Sequence, residues 1–361
     1  MKKTSIKFFT LVALSTLAFG FTACSNSSDG GAALPSLVTT TTNGGTSGAY
    51  AKIGSTTING IEYDIVTFGL WPQTIKAAEI TIYEDKTKTV GAFTYCKGSD
   101  GEWYVKAKEN AYGNDYKYSD GTTVAQSSAD SDKWFKVEPI KWRVLTNKYN
   151  GKKLLLAEDI LTAKTYYKDM DSRIINGSTI YANNYEHSDI RAWLNGDFLS
   201  TTFSADQKKA ISEMTIDNSV NSTLPDNYNS LTDSEKEYWN NDNGTNDYVC
   251  VNTSEKIFLL SNQEITKSSF GFSSFDNKDN ARRRIPTDYA KASGAYQDTP
   301  TKNGGRWWLR SPRDGTTNYG LHDNCAHRAR YINSEGRALY GDDANINNLD
   351  VGIVPALCVN N

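Results

Sequence analysis

Beyond residue 50, the chain alternates short apolar runs with long polar stretches rich in Asn, Asp, Ser and Thr. Most of the apolar runs have strand length and strand spacing. Ile61 to Phe68 is the first, and Gly69-Leu70-Trp71-Pro72-Gln73 after it reads as a turn. Residues 79–133 are hydrophilic with scattered aromatics, the pattern of hairpins and loops inserted into a framework. Ile140, Trp142 and Val144 then alternate with Lys141 and Arg143, which predicts a half-buried strand. Asn150-Gly151 separates this strand from Leu154-Leu155-Leu156. Both turn residues tolerate positive φ, so the segment predicts a tight hairpin. Ile257 to Leu260, Arg306 to Pro312 and the closing Asp350 to Val359 are further strand candidates, with a long polar connection over 266–305.

Two helices are predicted. Ser188 can cap a helix from Asp189 to Leu194, which buries Ile190, Trp193 and Leu194 and stops at Asn195-Gly196. Ser204-Ala205-Asp206-Gln207 matches a capping box, and Ile211 and Met214 would continue that helix's apolar side. Ser261-Asn262-Gln263-Glu264 matches the same box ahead of a short helix. Few helices, many short strands and long loops give an α+β fold class. Trp142, Trp193 and Trp308 belong to the core. Arg310 is expected to be buried and paired with Glu264.

The N-terminus carries a different pattern. Met1-Lys2-Lys3 and Lys7 precede an apolar run from Phe8 to Phe21, and Phe21-Thr22-Ala23-Cys24 follows. A basic start, a short apolar run and small residues before a cut site make a secretory signal peptide over 1–23. The run is too short to span a bilayer, which needs about 20 apolar residues. Residues 25–50 are almost wholly Ser, Asn, Gly, Thr, Ala and Asp, too polar to fold, and read as a flexible tether. The folded body is then 51–361, taken as one elaborated domain.

Charge and chemistry narrow the function. The chain carries −3, and loss of Lys2, Lys3 and Lys7 with the leader takes the mature protein to −6. That disfavours nucleic acid as a partner. Arg282-Arg283-Arg284 is the one dense basic run and reads as a solvated loop. Cys96, Cys250, Cys325 and Cys358 leave room for one or two disulfides outside the cytoplasm, with three pairings open. His187, His322 and His327 form no ligand pattern, so no metal and no cofactor is assigned. Asp242 to Asp247 could favour calcium but lacks the full spacing of an EF-hand loop. No G-x-S-x-G occurs; Glu158-Asp159 and Asp342-Asp343 are paired carboxylates only by adjacency.

The segment from Asn318 to Asn348 is the richest candidate for binding. It holds Asn318, Tyr319, His322, Asp323, Asn324, His327, Arg328, Arg330, Tyr331, Asn333 and Tyr340 with glycines between. Tyrosine supplies large rigid contact area and asparagine adaptable hydrogen bonding, the composition of adaptable binding surfaces.

Two resemblances add to this reading. Thr22-Ala23-Cys24 resembles a bacterial lipobox, although Phe21 stands where leucine is usual. The resemblance implies diacylation of Cys24, hence palmitate-type anchoring, and display on the outer membrane at the cell surface. The ordered motifs Ile140-Lys141-Trp142-Arg143-Val144-Leu145, Ile190-Arg191-Ala192-Trp193-Leu194-Asn195, Trp308-Leu309-Arg310-Ser311-Pro312 and Gly352-Ile353-Val354-Pro355-Ala356-Leu357 resemble a family of uncharacterised bacterial extracellular domains over 138–361. Val354 departs from the arginine common there. The layout is also similar to the C-type-lectin-like fold of formylglycine-generating-enzyme relatives, a fold also used by variable surface proteins diversified by retroelements; the resemblance implies a small antiparallel sheet, two main helices and long loops that make the ligand face. Together these imply a lipid-anchored surface protein that binds a protein or glycan through its C-terminal loops. A carbohydrate hydrolase of the cell envelope, or a structural envelope lipoprotein, are the alternatives.

Overall fold

A computed structural model describes residues 50–361 apart from 114, 127–130, 237–245, 247, 276, 299–303, 314–324 and 339–342. The leader, Cys24 and the tether lie outside the described residues. The strands in chain order are β1 (Ala51–Ile58), β2 (Ile61–Ile75), β3 (Ile82–Val90), β4 (Phe93–Gly98), β5 (Trp103–Lys108), β6 (Asp132–Tyr149), β7 (Lys152–Ala157), β8 (Thr162–Ala163), β9 (Arg173–Ile175) and β10 (Ser178–Ile180). They continue as β11 (Ile211–Ser212), β12 (Met214–Ile216), β13 (Thr253–Glu255), β14 (Ile257–Phe258), β15 (Trp307–Pro312), β16 (Arg328–Ile332), β17 (Asp343–Asn345), β18 (Gly352–Ile353) and β19 (Ala356–Val359).

The small antiparallel sheet with two main helices, and with it the C-type-lectin-like layout, does not form. The protein is mostly β, 40% strand against 16% helix, and among the described residues only one helix exceeds six residues. Its principal sheet has ten strands. Three local outcomes explain the difference. Ile211 and Met214 do not extend the second helix, which ends at Ala210. Instead Ile211 pairs with Val359 and Met214 with Glu255. Gly69 to Gln73 is no turn; β2 runs through it, with register shifts on either side of Leu70–Pro72. The inserted segment forms β3, β4 and β5, which extend the same sheet.

The 18-residue β6 organises this sheet. Phe135 pairs with both Ile75 and Val105, and Trp142 with both Val66 and Ala157. One edge of β6 therefore carries β2, while the other carries β5 near its start and β7 towards its end. The β6–β7 turn is the expected hairpin, with Asn150 at φ 48° and Gly151 at φ 78°. The C-terminal β19 pairs with β7, β11 and β14, so the end of the chain is deep in the sheet.

A second, five-stranded sheet has the order β17-β16-β15-β18-β8. Two segments cross between the sheets side by side: 157–162, which leads from β7 to β8, and 353–356, which leads from β18 to β19. Ala157 N–H donates to the Pro355 carbonyl and Leu161 N–H to the Ile353 carbonyl, each at 3.0 Å. A Cβ on Gly352 would lie 2.2 Å from the Ile160 side chain and 3.0 Å from the Arg306 carbonyl, so only glycine fits this crossing.

The expected helix at Ser188 forms, with the serine side chain accepting from Arg191 N–H. It does not stop at Asn195-Gly196 but continues as a π turn over Leu194–Phe198 and a last α turn over Leu199–Thr202. Asn195 remains inside it because its carboxamide bonds another segment: it donates to Glu255 and the Ile257 carbonyl and accepts from Lys256 and Ile257 N–H. The capping box at Ser204/Gln207 is complete. Trp142 and Trp308 are fully buried, and Trp193 packs on the core from a half-buried position. The indoles of Trp71, Trp142, Trp307 and Trp308 each donate to a backbone carbonyl.

Arg282-Arg283-Arg284 is not a solvated loop. Arg282 and Arg284 are buried. Arg282 donates to the carbonyls of Ile265, Ser273, Asn277 and Gly336. Arg284 donates to those of Ala157, Ala281 and Arg283. Arg143 shares the Ala281 carbonyl and clamps both oxygens of Glu158 at 2.6 and 2.7 Å. Cys96, Cys250, Cys325 and Cys358 are all free thiols, so no bridge forms among them. Burial pushes Cys250 up to about 11 and Cys358 up to about 12.

The expected Arg310–Glu264 pair is present, with Arg310 Nη1 2.6 Å from Glu264 Oε2. Arg310 also donates to the carbonyls of Leu259 and Asp217. The second oxygen of Glu264 accepts from the Tyr149 hydroxyl. Ser261 and Glu264 complete the reciprocal cap foreseen for this turn. Burial alone would raise Glu264, but the Arg310 charge and the bonds from Arg310, Tyr149 and Ser261 outweigh it and hold the acid below the usual carboxylate range. The pair's contribution is therefore present above the ordinary glutamate pKa and is lost as pH falls through the lowered one. Arg310→Met, which strands a buried carboxylate, should cost about 3–5 kcal/mol in denaturant unfolding. Removing both partners, with Glu264→Leu added, should recover much of that loss. Equal destabilisation by the single and double variants would reject the pairing argument.

Asp159 shifts in the opposite direction. Burial, then the neighbouring Glu158 charge, pushes it up to about 6. The folded state thus holds this proton more tightly than the unfolded chain does. The group costs stability above pH 6, and the cost fades as pH falls towards the ordinary aspartate value. Asp159→Asn should raise Tm at pH 8, by the equivalent of about 1–2 kcal/mol, and the gain should shrink towards pH 4. A gain independent of pH would contradict this account.

Candidate functional site: the C-terminal sheet and its connections

β15, β16 and β17 form an antiparallel meander whose two connections carry the tyrosine- and asparagine-rich segment. Of the eleven predicted binding residues, Asn318, Tyr319, His322, Asp323, Asn324 and Tyr340 lie outside the described residues. His327, Arg328, Arg330, Tyr331 and Asn333 are described. In the meander, the chain enters β16 at Arg328 and leaves at Ile332, so the two connections join opposite ends of that strand.

The first connection is held at both feet. Arg313 N–H donates to the Arg328 carbonyl at 3.0 Å, which closes the base of 314–324. Arg313 and Arg328 then share one carboxylate: Arg313 Nη1 lies 3.0 Å from Asp343 Oδ1, and Arg328 Nη1 lies 2.8 Å from Oδ2. Asp343 is almost wholly buried and opens β17, directly after 339–342. A single buried acid therefore fixes the feet of one connection and the return of the other. From outside, the Asn183 carboxamide donates to the carbonyls of Cys325 and Arg328. His327 enters β16 through a 3-10 turn, and its carbonyl accepts from Ile346 N–H.

The other predicted residues take different parts. Arg330 is buried. The Asn333 carboxamide accepts from the N–H groups of Glu335 and Arg337, so it builds the β16–β17 turn. Gly336 supports that turn at φ 74°, where a Cβ would lie 2.1 Å from the Asp279 carbonyl. Tyr331 is half-buried, 5.7 Å from the Arg306 guanidinium. Arg306 itself stacks on Tyr296, against which Tyr112 packs. Arg306, Arg313, Tyr112 and Tyr296 were not predicted. They come from separated segments, and no local pattern marks them as neighbours.

Other chemistry is sparse. Among the described residues, no group of three or more His, Cys, Asp or Glu gathers to hold a metal. Of the Asp242–Asp247 loop only Asn246 is described, and it accepts from Tyr248 N–H as a turn residue. Glu158 is clamped by Arg143, and Asp343 by two arginines. A groove of about 750 Å³ lies at the β6–β7 turn, lined by residues 146–150, Asp226, Lys267, Ser269 and Phe270. It offers one carboxylate, Asp226. No helix among the described residues is long and apolar enough to cross a membrane.

Comparison with curated proteins and with solved structures finds no match. Residues 150–361, from the β6–β7 turn to the C-terminus, match a family described as a domain of unknown function (DUF6273). That stretch contains both connections, the Asp343 clasp and the Arg310–Glu264 pair. The chain belongs to the DUF6273 family.

Proposed function

We propose that this protein is a lipid-anchored bacterial surface protein whose folded body binds a protein or glycan through the polar connections of its C-terminal sheet. The observation that carries this reading is the Asp343 clasp. A buried carboxylate shared by Arg313 and Arg328 pins the ends of connections rich in Tyr, Asn and Asp. Binding residues on loops set by a rigid scaffold are the common arrangement for recognition. Support for the anchor comes from the leader and from Cys24 behind Thr22-Ala23. A paired-carboxylate hydrolase is less well supported, because Glu158 and Asp343 are engaged by arginines and the groove has a single acid.

Two measurements test the reading. Replacing Tyr319 and Tyr340 with alanine should abolish capture of the full chain's ligand on a glycan and protein array while circular dichroism stays unchanged. Undiminished capture would remove the connections from the site. Cys24→Ser should eliminate incorporation of labelled palmitate in the producing bacterium and release the protein from membranes. Continued labelling would dismiss the anchor.

A further inference from the structure

Outside the connections, four side chains from distant parts of the sequence form a single file at the surface. Tyr112 comes from the inserted segment and Tyr296 follows the helix Asp288–Ala292. Arg306 leads into β15 and Tyr331 lies within β16. The Tyr112 and Tyr296 rings are 6.0 Å apart at 62°. The Arg306 guanidinium lies 4.1 Å from the Tyr296 ring centre and 5.7 Å from that of Tyr331. We infer that this row is a carbohydrate platform whose exposed Tyr112 ring takes a sugar of a glycan chain, with Arg306, stacked on Tyr296 and beside Tyr331, as the adjoining hydrogen-bond donor. It goes beyond the loop reading above and shares only Tyr331 with it.

The row is built by the framework rather than by long loops. Asp350, with a side chain 4% exposed, sits 3.0 Å from Arg306 Nη1, and its carbonyl accepts from Tyr296 N–H at 2.8 Å. One buried residue thus orients both the guanidinium and the tyrosine backbone. Asn110 N–H donates to the Ala292 carbonyl at 2.8 Å, which ties the Tyr112 segment to the helix before Tyr296. Gly294, at φ 106°, is where these backbones meet; a Cβ there would lie 3.2 Å from the Asn110 carbonyl and 3.3 Å from that of Leu349. A surface ordered in advance loses little entropy when it binds.

The outermost member remains open to solvent: Tyr112 is 54% exposed. The chemistry suits a pyranose. The negative face of a tyrosine ring attracts the weakly positive C–H face of a sugar. Arg306, 31% exposed, brings a planar set of N–H donors that stacking has already oriented towards hydroxyl oxygens. Polyanions are poorly served, because Asp350 offsets the Arg306 charge and the chain as a whole is acidic. A stable protein partner needs about 800 Å² on each side, which a single file of side chains does not provide.

The test uses the full chain in native gels that contain soluble polysaccharides: a β-glucan, a mannan, a chitin oligomer mixture and a polyuronate. At least one of the three uncharged polymers should retard the protein; retardation by the polyuronate alone overturns the platform. Tyr112→Ala should weaken that retardation by about tenfold or more at unchanged Tm, with Arg306→Lys intermediate. Retardation kept by the Tyr319→Ala/Tyr340→Ala pair but lost in Tyr112→Ala supports the platform. Retardation lost in that pair but kept in Tyr112→Ala overturns the platform and leaves the loop reading standing. No retardation by any of the four overturns it as well.

Discussion

A guanidinium can be buried only where its N–H groups find acceptors, and five are buried among the described residues. Arg143, Arg282, Arg284, Arg310 and Arg330 lie in the interior, where each must be answered by acceptors such as carbonyls or a carboxylate. The answers tie distant segments together. Arg310 holds β15 to the Glu264 turn, to the carbonyls of Leu259 and Asp217 and, through Glu264, to Tyr149 beside the β6–β7 turn. Arg284 reaches back to Ala157, where the chain leaves one sheet for the other. Arg282 gathers the carbonyls of Ile265, of Ser273 and Asn277 in the polar connection that follows, and of Gly336; the described residues of 267–280 have no sheet pairing. Long loops can be buried in this way because the arginines satisfy backbone groups that a strand ladder would otherwise have to serve.

Two sheets and one long strand supply the rest of the order. β6 receives β2 on one edge and β5 and β7 on the other. The segment preceding the DUF6273 region is therefore joined to it by continuous sheet pairing. The paired crossings at 157–162 and 353–356 then carry that sheet into the five-stranded one. Glu158 and Asp159 stand at the crossing and have opposite surroundings. Glu158 gains two guanidinium bonds, whereas Asp159 gains burial and a like charge. Adjacent carboxylates here make a junction whose stability varies with pH.

The same logic shapes the surface that we associate with recognition. Asp343, Asp350 and Asn183 are spent in positioning: each holds another group and presents little of itself. What they position is Tyr296, the entry to β16 and the partly exposed Arg306, Arg313 and Arg328. An acid buried under such a surface fixes geometry at the cost of its own availability.

Local patterns in the sequence marked the elements whose causes are local. The Asn150-Gly151 turn, the caps at Ser188, Ser204 and Ser261, and the buried Trp142 and Trp308 each follow from neighbours within a few residues. Arg310, directly after Trp307-Trp308-Leu309, was legible as a buried arginine that needs an acid, whereas Glu264, in the polar Ser261-Asn262-Gln263-Glu264 turn, was a candidate partner that only the tertiary structure brings to it. The fold class was not legible. Ile211 and Met214 fit a helix face as well as a strand, and the choice fell to β19 and β13, far away in sequence. Asn195-Gly196 has the composition of a helix stop, yet the helix continues, because Glu255 to Ile257 bond the Asn195 side chain. The three arginines have the composition of a solvated loop, yet Arg282 and Arg284 are core, because carbonyls of the distant Ile265, Gly336 and Ala157 accept from them beside nearby ones. The family region and the tyrosine-rich segment could be marked from the sequence, but the grouping of Tyr112, Tyr296, Arg306 and Tyr331 could not. Sequence determines what each residue can bond; which acceptor it meets across 100 residues or more is set by tertiary packing, because pairing partners that far apart leave no trace in local spacing.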